Sequence, residues 1–347
     1  MLDSFSRQIH GDNTELPSDL RGDVRLVRGD VLDASVWASS VPGHQVIVNL
    51  AAETGTGQSM YDIKKYEQVN VAGTSLLYDL LAKSPRHGVE RIVVASSRAI
   101  YGEGAYECQE HGLVYPDSRS SLDKTNGFYD PVCPVCGGAC SSVSTSEGAP
   151  FQPSSFYGLT KQVQEQMTLL FGRTMSIPSI ALRFQNVYGP GQSLKNPYTG
   201  ILAIFSSQAR ANEPIYIFED GKESRDFVYI ADVVEAICRA IEVPFEGAAA
   251  VNVGTGVPVS VSQVVDRIVN YFQSESQVSL PGTFREGDIR HACADTNRLQ
   301  QMLDFVPMCK FSVGIQKFLE WVTNQDLHQR DYERSLSEMR ERGLLHG

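Results

Sequence analysis

The chain has 347 residues, 42% hydrophobic and 20% charged, with 30 Lys and Arg against 41 Asp and Glu for a net charge of −11. That length suits one large α/β domain or two smaller ones, and the composition is that of a globular protein rather than a disordered one. The acidic balance is spread along the chain with no basic stripe, which argues against a nucleic-acid partner but leaves room for an anionic small ligand held by a few local arginines. No apolar run reaches the roughly eighteen residues needed to span a bilayer, so no membrane partner is expected. Residues Met1 to Asn13 show no signal-peptide pattern, and the reading is a cytoplasmic protein. Seven cysteines, an odd number, make a disulfide framework an unlikely design for such a chain, and clustered cysteines point first to metal.

In chain order, Val24 to Val31 and Gln45 to Ala52 read as strands, and Asn70 to Lys83 as a helix with Val71, Leu76, Leu77, Leu80 and Leu81 on one face. Arg91 to Ser97 is the next strand, Phe156 to Met175 a long helix and Ser179 to Phe184 another strand. Apolar strands separated by helices predict an α/β fold, a Rossmann-like parallel sheet with helices on both faces. Residues 103–150 break the pattern: they are polar, hold four cysteines and read as an insertion rather than a domain of their own. Further on come a helix at Ile201 to Ala211, a strand at Ile215 to Glu219, strand then helix at Phe227 to Ile241 and a strand at Ala249 to Val253. Helices at Val261 to Phe272 and Val313 to Asn324 suggest a smaller C-terminal α/β lobe for substrate.

Tyr157-Gly-Leu-Thr-Lys161 opens the long helix. Residues four apart share a helix face, which brings the Lys161 ammonium toward the Tyr157 hydroxyl. A tyrosine that titrates near pH 10 is a poor base at neutrality, and a neighbouring cation makes its phenolate accessible. Ser96-Ser97-Arg98-Ala99-Ile-Tyr-Gly102 ends the preceding strand, and Asn186-Val-Tyr-Gly-Pro-Gly191 follows the next one.

Within the insertion, Cys133-Pro-Val-Cys136-Gly is a knuckle-like turn, and Cys108-Gln-Glu-His111 supplies a second pair at the same spacing. Together these four could hold a structural zinc, with Cys140 as a spare ligand; a reduced metal-free loop or a redox-active pair are the other readings. Cys238, Cys293 and Cys309 are scattered and read as packing residues.

Taken together, Ser97, Tyr157 with Lys161, Asn49-Leu50-Ala51-Ala52, the run Arg183 to Gly191 and Arg225-Asp-Phe-Val-Tyr-Ile-Ala-Asp232 resemble the extended short-chain dehydrogenase/reductases, the NAD-dependent nucleotide-sugar epimerases and dehydratases. The resemblance covers nearly the whole chain. It implies that residues 1–186 bind NAD, that 187–347 mainly bind substrate, and that 226–253 return to the first domain. It implies Tyr157 as acid and base on a sugar hydroxyl, Ser97 bonding the same hydroxyl, and Lys161 on the nicotinamide ribose. Asp3, Asp30, Val31 and Asn49 to Ala52 become cofactor positions; Asn186, Arg225 and Arg290 become ligands of the substrate diphosphate. A homodimer is expected on the same ground.

The 4,6-dehydratases of that family carry Thr-Asp-Glu at the strand end, whereas this chain has Ser97-Arg98-Ala99, so dehydration has no evident acid or base. What remains is 4-epimerisation through a transient 4-keto sugar, with a reductase or dehydrogenase on the same scaffold as the alternative. Local similarity in Ser96 to Gly112, the CPVCG turn and Gln185 to Leu202 is to the dTDP-L-rhamnose 4-epimerases. One expected part is missing: no Gly-rich turn joins a first strand to a first helix. Gly55-x-Gly57 and Gly102-x-Gly104 follow later strands, and only two residues precede Asp3. The first strand–helix unit therefore reads as absent, which suggests a truncated chain with weak NAD binding or a non-catalytic descendant of the enzyme.

Overall fold

The computed structural model describes residues 1–347 apart from Pro85, Lys195, Pro197, Thr199 and residues 327–329. Leu2–Asp3 (β1) pairs in parallel with Val27–Arg28 (β2), and Ala34–Ser40 (α1) leads to Val46–Asn49 (β3). Gly73–Lys83 (α2) crosses to Arg91–Ser97 (β4). The insertion holds three short antiparallel strands, Tyr106–Cys108 (β5), Gly112–Val114 (β6) and Cys140–Ser142 (β7). Phe156–Met175 (α3) then returns the chain to Ser179–Phe184 (β8), continued by Asn186–Tyr188 (β9). Next come Ile201–Ala211 (α4), Ser224–Tyr229 (β10), Ile230–Glu242 (α5) and Ala248–Val253 (β11). Pro258–Ser260 (β12), Val261–Phe272 (α6) and Phe311–Thr323 (α7) follow in the smaller lobe.

The central sheet has the order β11-β8-β4-β3, all parallel. Its register sets Ser97 and Val253 level with Phe184, so the carboxyl ends of three strands finish on one line. Side chains alternate across the sheet. Ile180 and Leu182 join Val93, Val251 and Val253 under Val233, Ala236 and Ala240 of α5. Ala181, with Val94 and Ala250, faces Leu169 of α3. Because both faces are covered, all of β8 except Phe184 is buried. A second core, built on Tyr188, Phe227, Phe318 and Val264, belongs to the smaller lobe and packs α4, α6 and α7 together.

Three expectations change. The strand expected at Val24 to Val31 shrinks to Val27–Arg28, and that at Gln45 to Ala52 to Val46–Asn49. Among the described residues, β3 is an edge with no hydrogen-bonded neighbour on its far side, and β1–β2 form a separate sheet; a ladder without a partner cannot lengthen. The break lies where the resemblance puts the Gly-rich strand and helix. The helix expected from Asn70 begins at Gly73, after a wide turn of π type over Glu67–Ala72. The insertion, for its part, holds an ordered three-stranded sheet.

One buried ion pair ties the layers. Glu165 of α3 and Arg183 of β8 face each other with 0% and 3% of their side chains exposed, Nε to Oε2 at 3.0 Å. Ser96 of β4 donates to the same carboxylate at 2.6 Å, and Arg183 reaches the Tyr101 hydroxyl at 2.7 Å. Truncation as Glu165→Ala strands a buried guanidinium, so unfolding in urea should show a loss of about 3–5 kcal/mol. A loss below about 1 kcal/mol, the range of an exposed pair, would contradict this role.

Candidate active site

A cavity of about 620 Å³ opens at the carboxyl ends of β4, β8 and β9, between the sheet and the smaller lobe. Ligand clefts of open α/β sheets form at this edge. Ser97, Arg98, Tyr157, Lys161, Asn186 and Arg225 all line it, although they lie far apart in sequence.

Local folding puts each in place. Ser97 ends β4, and its Oγ accepts the Ala99 amide at 3.1 Å. It therefore caps a turn as well as facing the cavity. Ser155 caps α3 by accepting the Gly158 amide at 3.1 Å. Gly158 lies so close to the Ala99 carbonyl that a Cβ there would come within 2.4 Å of its oxygen. That approach seats the first turn of α3 on the turn after β4 and brings Tyr157 beside Ser97. Tyr157 packs edge-on against Tyr66, with ring centres 6.3 Å apart. Burial pushes the Tyr157 phenol up, while the Ser97 hydroxyl and the Arg98 guanidinium pull it down.

Lys161 is buried, and its ammonium donates to Gln164 Oε1 within α3 rather than to Tyr157, as the helical spacing had suggested. Gln164 in turn donates to Thr74 Oγ1 at 2.9 Å. Burial pulls the Lys161 amine down to about 7, with Glu165 opposing.

The cationic wall is richer than the sequence suggested. Arg98 donates to Asn186 Oδ1 at 2.9 Å. Arg225 spends its donors on three carbonyls: Ser224 at 2.8 Å, Arg290 at 2.9 Å and Ile289 at 2.8 Å. Among the described residues neither guanidinium has a salt-bridging carboxylate, whereas Arg285, also on the wall, pairs with Asp288 at 2.9 Å. Burial and the Arg225 charge lower Arg98 to about 10, and burial lowers Arg225. Unpaired guanidiniums that repel each other across a cavity favour an anion between them. Gln185, Gln192 and Glu223 also line the cavity, and their Oε1, Oε1 and Oε2 atoms are buried without a partner among the described residues.

Several expected residues lie elsewhere. Arg290 is not on the cavity wall. Its guanidinium is 1% exposed and is consumed by Asp130 at 2.7 Å, Glu219 at 3.2 Å and Asp220 at 2.6 Å. Buried among three carboxylates it is already neutralised, and it touches the site through the carbonyl it offers Arg225. Of Asn49 to Ala52, Leu50 and Ala52 line the cavity; Asn49 is buried and accepts the Ala51 amide at 3.2 Å. Asp3 accepts the Phe5 amide at 2.7 Å, Asp30 the Leu32 amide at 2.9 Å, and the Val31 carbonyl the Trp37 indole at 2.8 Å. None of these three lines the cavity.

The sequence reading passed over Arg98, noting only that it is not acidic; its place directly after a strand-end serine was the available signal. It also passed over Arg285 and Asp288, and it set aside Gly55 and Gly57, which line the cavity. The four expected metal ligands do converge. The Cys108, Cys133 and Cys136 sulfurs and a His111 ring nitrogen lie within 4.8 Å of one another.

Comparison with known proteins agrees with this geometry. The model of the NAD dependent epimerase/dehydratase family matches residues 3–122 and 124–254. A dTDP-L-rhamnose 4-epimerase of Burkholderia thailandensis is 37% identical over 330 residues, 94% of this chain and 88% of that protein. Among solved structures, MoeE5 in complex with UDP-glucuronic acid and NAD is 28% identical with a TM-score of 0.70, over 86% of this chain and 85% of that one. A UDP-N-acetylglucosamine 4-epimerase from Methanobrevibacter ruminantium, 22% identical over 94% of this chain and 90% of that one, shares the fold at a TM-score of 0.74. The matched span and the arrangement around the cavity converge: the chain belongs to the NAD-dependent epimerase/dehydratase family.

Proposed function

We propose that the protein is an NAD-dependent 4-epimerase of a nucleotide-diphosphate sugar, with dTDP-L-rhamnose as the best candidate. The observation that carries the reading is the meeting of Ser97, Tyr157 and Lys161 beside a cavity walled by two guanidiniums that have no salt-bridging carboxylate among the described residues. The candidate sugar comes from the 37% identical relative.

The nicotinamide end of NAD suits what lines this cavity: Lys161 toward the ribose, with Leu50 and Ala52 at the strand edge. No Gly-rich strand–turn–helix stands beside β1 among the described residues to cradle the pyrophosphate. Asp3, Asp30, Val31, Asn49 and Ala51 remain proposals for the adenosine half. NAD, when bound, supplies a hydride acceptor and then a hydride donor. Tyr157 takes the C4 hydroxyl proton as the sugar is oxidised to the ketone and returns it after the ring presents its other face. Ser97 aligns that hydroxyl. Arg98, Arg225 and Asn186 hold the diphosphate, with guanidiniums suited to forked contacts on its oxygens. Residues 1–186 with 226–253 would thus serve NAD, and the rest of 187–347 the sugar nucleotide. A structural zinc on Cys108, His111, Cys133 and Cys136, a homodimer and a cytoplasmic location complete the reading. Sedimentation at the mass of one chain would overturn the dimer; no helix of the described residues is long and apolar enough to cross a membrane.

Three measurements test it. Tyr157→Phe should lower kcat by about 10²- to 10⁴-fold without added NADH, and near-normal epimerisation would refute the assignment. Because Arg98 pulls the Tyr157 phenol down, Arg98→Gln should move the acid limb of the rate profile to higher pH. An unmoved limb would detach Arg98 from Tyr157. Lys161 carries a pH signature in stability. Its folded value of about 7 lies below the ordinary 10.5, so between these the unfolded chain holds a proton that the folded chain lacks. Unfolding free energy should therefore rise with pH across that window, and Lys161→Met should flatten the rise.

A further inference from the structure

The insertion has little core of its own. Its three strands are three residues each, and its apolar cluster is Tyr106, Cys108, Val114 and Cys133 with Cys140 packed against it. Modules this small need a staple. The cysteine–histidine cluster has the dimensions of one. Zinc bonds of roughly 2.3 Å to sulfur and 2.0–2.1 Å to nitrogen, at tetrahedral angles, set sulfurs about 3.8 Å apart and sulfur and nitrogen about 3.6 Å apart. Here Cys108 and Cys136 sulfurs are 3.8 Å apart, and His111 Nδ1 is 3.6 Å from Cys108 Sγ and 3.7 Å from Cys133 Sγ. The knuckle is preformed: the Gly137 amide bonds the Cys133 carbonyl and the Cys133 amide the Gly138 carbonyl, both at 2.8 Å. His111 and Cys136 are exposed, which gives an ion a way in. Cys140 is not part of the set and turns its thiol to the Pro131 carbonyl at 3.3 Å.

The staple is wired to the cavity wall. Just before the knuckle, the Tyr129 carbonyl accepts from Arg119 at 2.9 Å and the Asp130 carboxylate from Arg290 at 2.7 Å. Arg119, with 3% of its side chain exposed, also holds Glu103 at 2.8 Å, Glu219 at 2.8 Å and the Asp288 carbonyl at 2.9 Å. Glu219, Asp288 and Ile289 line the cavity, and Arg225 rests on the carbonyls of Ile289 and Arg290. The insertion thus supplies one side of the support under an unpaired guanidinium.

We infer that Cys108, His111, Cys133 and Cys136 bind one zinc ion that clamps the insertion, and that the clamp holds Arg119 against the cavity wall, so that affinity for a nucleoside diphosphate depends on the metal. The dependence rests on the zinc reading given above; the clamp adds what the metal does. It positions the diphosphate site and takes no part in the chemistry at the sugar.

The test uses the full chain, zinc content by mass spectrometry and dTDP affinity by calorimetry, which needs neither NAD nor turnover. The wild type should carry one zinc per chain. Cys136→Ser should lose it and bind dTDP about tenfold more weakly, and Arg119→Lys should keep the zinc with a similar loss of affinity. Absence of zinc from the wild type overturns the metal site and the dependence with it. Zinc lost with affinity unchanged overturns the clamp and leaves the metal site standing. Failure of the zinc-loaded wild type to bind dTDP overturns the inference together with the nucleotide-sugar reading. Should Cys136→Ser not fold, wild type stripped by a chelator and reloaded gives the same comparison: affinity that falls and returns supports the clamp, and affinity that stays put overturns it.

Discussion

Glu165 and Arg183 meet where α3, β4 and β8 come together, in a place almost without solvent. Two charges taken out of water are tolerated only when they are well hydrogen-bonded, and here Ser96, Tyr101 and the Glu147 carbonyl add to the pair's own contacts. The consequence is geometric. The pair pins a long helix, whose first turn carries Tyr157 and Lys161, to the strand that ends in Ser97 and to the strand that runs on to Asn186. Residues brought from far apart in sequence share one cavity because that junction is rigid.

In a chain with a net charge of −11, the cavity lining sets Arg98, Lys161, Arg225 and Arg285 beside Glu219, Glu223 and Asp288. Arg290, which also looks like a phosphate ligand, is neutralised within the protein by Asp130, Glu219 and Asp220. What separates Arg98 and Arg225 from Arg285 and Arg290 is that, among the described residues, no carboxylate stands within salt-bridging reach of the first two.

The insertion between β4 and α3 is more than decoration. Arg119 and Asp130 reach out of it into the network behind Ile289 and Arg290, while Glu147 and Thr145 engage Asn252 of β11. A segment with so small an apolar cluster leans on polar contacts to the body of the protein.

The sequence by itself determined much of the framework. The continuous apolar runs in Arg91–Ser97 and Ser179–Phe184 and the capped run Phe156–Met175 specify their own boundaries, because both faces of those strands are buried and the helix has a defined start. The convergence of Cys108, His111, Cys133 and Cys136 was legible from spacing, since a tight knuckle is a local constraint, whereas Ser97, Tyr157 and Lys161 stood out only through the resemblance of several motifs taken together. Other matters were decided only by the tertiary structure: Lys161 bonds Gln164, Arg98 joins the wall, Arg290 is consumed, β2 and β3 are short beside an unpaired edge, and the insertion forms a sheet. Each depends on which groups distant in sequence come within a few ångströms, and a charge or an amide has no fixed role until its partners in space are known.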